Sequence, residues 1–324
     1  PADRSDVLAR AAGLIRETVQ EIAEQLTAEQ GKPLQDSRKE ILFGARVLEY
    51  YGQEVIRLAP EMRATDSPSI RSIVRYAPLG VVGAIVPWNY PVDLLCWKVA
   101  PALAMGNCVI VKPPVEAPLA IAMVIDLLHQ AGVPRGVLAD LPGNADVGEA
   151  IVRHPDVAMI SATCSTRAGQ AIMSAAAAGT KRLTLELGGS SPFLVLPTAD
   201  IEEAARAATR RSFSNTGQIC IAVNRIIVTE QQADDFADAM AAEIDRLVAG
   251  NGADAAVTFG PATTVGVLET AQRHAADALQ RGATLVRGGQ RITGPGFDEG
   301  HFFAPTLLDR VAPGSLVVSE ETFG

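Results

Sequence analysis

The stretch Leu79-Gly-Val81-Val-Gly-Ala-Ile-Val86-Pro-Trp-Asn89-Tyr-Pro91 decides the fold. Its apolar run, Val81 to Val86, is rich in β-branched residues and closed by proline, which is the signature of a short buried strand. Working outward, an Ala-rich helix over Leu94 to Met105 leads to a strand over Cys108 to Lys112, a helix over Leu119 to Gln130 and a strand over Gly136 to Asp140. The alternation continues through helix Val147 to Arg153, strand Val157 to Ser161, helix Arg167 to Ala178 and strand Arg182 to Leu187. Short strands alternating with helices give an α/β fold with a parallel sheet covered by helices, and such sheets bind ligands at the carboxyl ends of their strands. The glycine pair Gly188-Gly189 interrupts the series. A second β/α series follows, with strands over Phe193 to Leu196 and Arg225 to Thr229 and helices over Glu202 to Ser212, Ala233 to Ala249 and Val265 to Gln280. The expected domains are therefore 1–187 and 188–324.

Upstream, Leu8, Ala11, Ile15, Val19, Ile22 and Leu26 recur at helical spacing and predict one amphipathic helix from Ser5 to Gln30, stopped by Gly31 and Pro33. Ser37-Arg-Lys-Glu40 reads as a capping box opening a second helix that runs to about Glu54. The alternating run Ile70 to Tyr76 predicts an exposed hairpin strand within 67–77, an edge that invites a partner subunit.

The chain of 324 residues is 48% hydrophobic and 20% charged, with a net charge of -9. That composition buries a substantial core and repels a phosphate backbone, so nucleic acid is excluded as a partner. The charge-free stretches are broken by Gly, Pro and Asn before reaching the ~18 apolar residues of a membrane span. Four cysteines without a CxxC pair argue for a reducing, cytoplasmic compartment, and four histidines without ligand spacing argue against a metal. The start at Pro1 leads us to expect a missing N-terminal stretch.

Four segments carry chemistry. Asn215-Thr-Gly-Gln-Ile-Cys220 puts a thiol after a glycine-containing loop, where it can serve as a nucleophile. A single cysteine is equally the small hydrophobe of an ordinary core, and the segment alone decides neither. Glu186, among apolar residues at a strand end, becomes a general base if burial raises its pKa, or is an ordinary ion-paired glutamate. Asn89, at the ligand-facing end of the first strand, is an oxyanion donor or a turn residue. Ser161 to Gly169 joins strand to helix and offers a hydroxyl and free N–H groups to a phosphate, without a GxGxxG fingerprint.

Together these segments resemble the aldehyde dehydrogenase superfamily from about Gln30 to Gly324. Gly31-Lys-Pro33 with Glu40-Ile41, Pro87-Trp-Asn89, Ala100 to Asn107 with Val111-Lys-Pro113, Leu185-Glu-Leu-Gly-Gly189, Asn215 to Cys220 and Glu320-Glu-Thr-Phe-Gly324 follow the family's GKP, PWN, APALA-GN-KP, LELGG, cysteine and EEIFGP blocks in order. The resemblance implies a Rossmann-like cofactor domain, a second α/β catalytic domain truncated at its C-terminal side, and an oligomerisation hairpin. It implies NAD(P)-dependent oxidation of an aldehyde to its acid through a thiohemiacetal and thioester on Cys220, with Asn89 on the oxyanion and Glu186 as base. It assigns Trp88 and Ser165 to the pyrophosphate, Lys112 to the adenosine ribose and Glu321 to the nicotinamide ribose, with no metal. Val115 stands where a ribose-binding glutamate is common, which leans the cofactor towards NADP. Thr163-Cys164-Ser165 replaces the usual Thr-Gly-Ser, and Trp97 and Ser214 replace the carboxylate-binding arginines of succinate-semialdehyde enzymes. The expected partners are a small-molecule aldehyde and further copies of the chain, as homodimer or homotetramer. A CoA-acylating relative and a catalytically silent or truncated member are the alternatives.

Overall fold

The computed structural model describes residues 1–324. Residues 1–25 and 38–187 form one compact unit, and 26–37 with 188–324 form the other.

The first unit is built on a five-stranded parallel sheet. Its strands are β3 (Val81–Ile85), β4 (Cys108–Lys112), β5 (Leu138–Asp140), β6 (Val157–Thr163) and β7 (Arg182–Glu186). Their order is β5-β4-β3-β6-β7, so the direction of winding reverses between β3 and β6. Side chains alternate between faces along a strand. Val81 and Ile85 join a core of Ile151, Val157, Ile160, Ala162 and Ala176, which helices α6 (Ala145–Arg153) and α7 (Thr166–Ala177) cover. Val82 and Ala84, on the other face, are buried with Val109 and Val111, where α4 (Pro91–Ala104) and α5 (Leu119–Gln130) pack. Truncating the fully buried Ile160 to alanine costs about 2–5 kcal/mol.

Three sequence expectations change here. The N-terminal helix is two, α1 (Ala2–Glu17) and α2 (Val19–Gln30), because the Thr18 hydroxyl donates back to the Leu14 carbonyl at 2.9 Å and bends the chain. The capping box does not form. Helix α3 (Leu34–Arg57) starts three residues before Ser37, whose hydroxyl instead meets Thr27 Oγ1 at 2.8 Å in a buried contact. The strand expected within 67–77 is only β2 (Ser72–Val74), paired antiparallel to β1 (Glu61–Arg63), because Ser67, Pro68 and Ser69 form a turn.

In the second unit β8 (Ser191–Leu194) and β9 (Val223–Ile227) pair in parallel. Helices α8 (Ile201–Phe213) and α9 (Ala233–Ile244) cover them through Val195, Ala205, Ala208, Phe236 and Met240. Helix α9 stops five residues short of the expected Ala249, which bridges Phe259 instead. Helix α10 (Val265–Gln280), the antiparallel pair β10 (Thr284–Arg287) and β11 (Leu307–Asp309), and the short helix α11 (Leu316–Ser319) complete the unit. A cavity of about 480 Å³ is lined by β9, residues 303–311 and α10, and Cys220 is not among its lining residues. No helix of the chain is long and apolar enough to cross a membrane.

Candidate active site

The strand order brings the sequence-selected residues of the first unit to one edge of the sheet, since parallel strands all end on the same side. Trp88 and Asn89 follow β3, Lys112 ends β4, Ser165 follows β6 and Glu186 ends β7. The reversal of winding lies between the β3 and β6 ends, where open parallel sheets form their ligand crevice.

Asn89 is buried on the approach to α4. The N-terminus of α4 has no cap of its own. Glu40, reaching from α3, accepts the Val92 and Asp93 N–H groups at 2.9 and 3.3 Å. Glu40 thus caps a different helix from the one its sequence pattern predicted, because the orphan amides it meets are distant in sequence. Its charge also sits at the positive end of α4.

Lys98 is a site residue that the sequence reading missed. It lies 5% exposed in α4 and donates to Thr163 Oγ1 at 2.7 Å. Burial pulls its pKa down to about 8, against the charges of Glu186 and Cys164, which raise it. A lone lysine in the otherwise apolar run Leu94 to Met105 was the available signal. Burial pushes the Cys164 thiol up, with Lys98 opposing, and the Cys164 N–H donates to the Glu186 carbonyl at 3.0 Å, tying the ends of β6 and β7 together. The Glu186 side chain is exposed, so the burial on which one of its two sequence readings depended is not met; it lies on the open face of an edge strand.

Ser165 caps α7, accepting the Ala168 N–H at 3.3 Å, and it is exposed together with Thr166 and Arg167. The start of α7 therefore offers amide donors and positive dipole to an anionic group. Burial lowers the Lys112 pKa, with Glu116 and Asp146 opposing, and its ammonium donates to the Pro113 carbonyl at 3.0 Å. Val115 is 53% exposed in the loop beyond. Trp88, Lys112 and the start of α7 thus all stand at the carboxyl ends of the strands. No group of three or more His, Cys, Asp or Glu side chains is arranged to hold a metal.

In the second unit the loop leading to Cys220 is strained. Asn215, Thr216 and Gly217 all have positive φ, at 50°, 59° and 76°. For β-branched Thr216 this conformation costs of order 1–3 kcal/mol and persists only where surroundings impose it. They do so through buried hydrogen bonds. Asn215 Oδ1 accepts from Gln30 at 2.9 Å, Thr216 donates to the Gly260 carbonyl at 3.0 Å, and Gln218 both donates to the Asn215 carbonyl at 2.9 Å and accepts the Thr263 N–H at 2.8 Å. Cys220 emerges exposed from this fixed loop. Glu321 accepts the Gly189 N–H at 3.0 Å, and a Cβ on Gly188 would overlap its carboxylate.

The aldehyde dehydrogenase family profile matches residues 1–324. Glutarate-semialdehyde dehydrogenase of Pseudomonas putida is 36% identical over 323 residues, covering 99% of this chain and 66% of that protein. The crystal structure of an E. coli NADP-dependent enzyme matches with a TM-score of 0.96 and 35% identity, over 100% of this chain and 66% of that one. The NAD+ complex of an aldehyde dehydrogenase from Bacillus cereus matches with a TM-score of 0.95 and 32% identity, over 100% of this chain and 65% of that one. The chain thus spans about 66% of the length of the curated relative. With a family match over its whole length and the fold of the Bacillus cereus aldehyde dehydrogenase, the chain belongs to the aldehyde dehydrogenase family.

Proposed function

We propose that this protein oxidises an aldehyde to its carboxylic acid with NAD(P)+ as the two-electron acceptor. The observation that carries the reading is the gathering of Trp88, Lys112, Ser165 and Glu186 at the carboxyl edge of a doubly wound sheet. Trp88 and the amides at the start of α7 hold the pyrophosphate, Lys112 the adenosine ribose and Glu321 the nicotinamide ribose. When bound, the nicotinamide supplies a two-electron acceptor for hydride.

The Cys220 thiolate adds to the aldehyde carbon, forming a C–S bond and turning the carbonyl oxygen into an oxyanion. The Asn89 amide and the Cys220 N–H donate to that oxygen, which stabilises charge as it develops. Loss of the C–H hydride re-forms the carbonyl and leaves a thioester on Cys220. Glu186 takes a proton from water, whose oxygen adds to the thioester carbon, and the C–S bond breaks to return the thiolate and release the acid. A general-base carboxylate at the end of β7 supports hydrolysis over transfer to CoA. The exposed Val115, in place of a ribose-binding carboxylate, supports dual cofactor use with preference for NADP, because position 115 itself places no like charge against the 2′-phosphate.

Cys220→Ala is the direct test. The gene product should form NAD(P)H with members of an aldehyde panel of anionic and neutral tails, and the variant should form none while keeping its melting temperature. Substantial turnover by the variant removes Cys220 from the mechanism. Exposed Met62, Ile70, Ile73 and Tyr76 around the β1–β2 pair support assembly as a homodimer or homotetramer. A monomeric mass by light scattering at micromolar concentration contradicts that assembly.

A further inference from the structure

His274, on α10, is 1% exposed and lies between two polar side chains of the segment that follows α11. Its Nδ1 is 2.9 Å from Thr322 Oγ1 and its Nε2 is 3.4 Å from a Glu320 carboxylate oxygen. A carboxylate only accepts, so Nε2 carries the ring proton, and the bare Nδ1 accepts the Thr322 hydroxyl. Burial holds the ring below its ordinary pKa, which favours the neutral form; Arg273 acts in the same direction, while Glu320 and Asp277 oppose. Thr322 stands where the EEIFGP block has isoleucine, and the buried histidine is the partner that gives its hydroxyl a use.

The backbone at Glu320 is extended, with φ -119° and ψ 153°. Successive side chains of an extended segment leave opposite sides, so 320 and 322 face α10 while 321 faces away. Glu321 accordingly meets the glycine pair, accepting the Gly189 N–H at 3.0 Å. The Arg273–Glu320 ion pair is about half exposed on both sides and adds little, so on the α10 side the hold on residues 320–322 comes from the buried ring.

We propose that His274 is a positioning residue for the cofactor: by holding Thr322 and Glu320 it aims Glu321 and thereby sets the affinity for the dinucleotide. The proposal rests on Glu321 as the nicotinamide-ribose ligand. The test is titration of the gene product with NADPH and NADH, followed by fluorescence, alongside the melting temperature without nucleotide. Thr322→Val keeps the volume and removes the hydroxyl, so it and His274→Ala should each raise Kd about tenfold, the effect of one lost hydrogen bond. The double variant should be no worse than either single one. His274→Asn, whose Oδ1 accepts at the Nδ1 position, should recover most of the affinity. Unchanged Kd in Thr322→Val and His274→Ala overturns the proposal, as does equal loss in His274→Ala and His274→Asn. Wild-type protein that binds neither nucleotide overturns the functional reading with it, so the wild-type titration tells the two failures apart.

Discussion

Replacing Lys98 by methionine turns a buried charge into a measurable pH dependence of stability. Lys98 titrates near 8 in the folded chain, against its ordinary value of 10.5, and burial is the chief cause. The folded state thus holds the proton less tightly than the unfolded one. Below pH 8 the ammonium is charged in both states and its desolvation cost is fully present. Between about pH 8 and 10.5 the unfolded chain keeps a proton that the folded chain has released, so stability rises with pH. The gap between the two pKa values, at about 1.4 kcal/mol per unit, amounts to about 3 kcal/mol. Methionine fills a similar volume without charge and leaves the Thr163 hydroxyl without its donor, a cost of about 1 kcal/mol that does not vary with pH. Urea unfolding of wild type and Lys98→Met from pH 7 to pH 10.5 gives the difference directly. Wild type should gain about 3 kcal/mol on the variant across that range. A difference that stays flat within about 0.5 kcal/mol refutes the reasoning, because it means the ammonium is solvated in the folded protein.

Glu186→Gln should leave a first-turnover burst of NAD(P)H and collapse the steady-state rate, since the amide blocks only release of the thioester; stopped-flow absorbance checks it, and a lost burst with normal nucleotide binding moves Glu186 to an earlier step. Val115→Glu should shift the ratio of kcat/KM for NADP over NAD towards NAD by about fivefold or more, from a like-charge penalty of order 1 kcal/mol against the 2′-phosphate. An unaltered ratio would place residue 115 outside the ribose pocket.

The strands of the sheet were legible because each apolar run sits between Ala-rich helices, and their boundaries move by only one or two residues. Helix starts were less legible. Ser37 and Glu40 form a capping pattern, but each side chain finds a distant buried partner, Thr27 and the α4 amides, and local spacing carries no record of that. The motif residues Asn89, Glu186 and Cys220 stood out by pattern, whereas Lys98 and His274 act through pairings with Thr163 and Thr322 that exist only once the chain has folded. The left-handed run at Asn215 and Thr216 was hidden for a similar reason, since neither residue type demands positive φ and only the surrounding hydrogen bonds impose it.

The strand order also bears on how the chain reaches its fold. Val81 pairs with Cys108 on one side and Val157 on the other, residues 27 and 76 further along the chain. Closing the longer loop costs about 1 kcal/mol more in chain entropy before any contact returns it. The three strands β3, β4 and β5 are joined by local crossovers and can assemble early, while the central β3–β6 pairing belongs to the slow, high-contact-order part of folding. That same pairing creates the crevice at the point where the winding reverses. A nucleotide present during refolding therefore meets no site on the half-assembled sheet. On the proposed function, a nucleotide should stabilise the finished structure without accelerating the step that builds it.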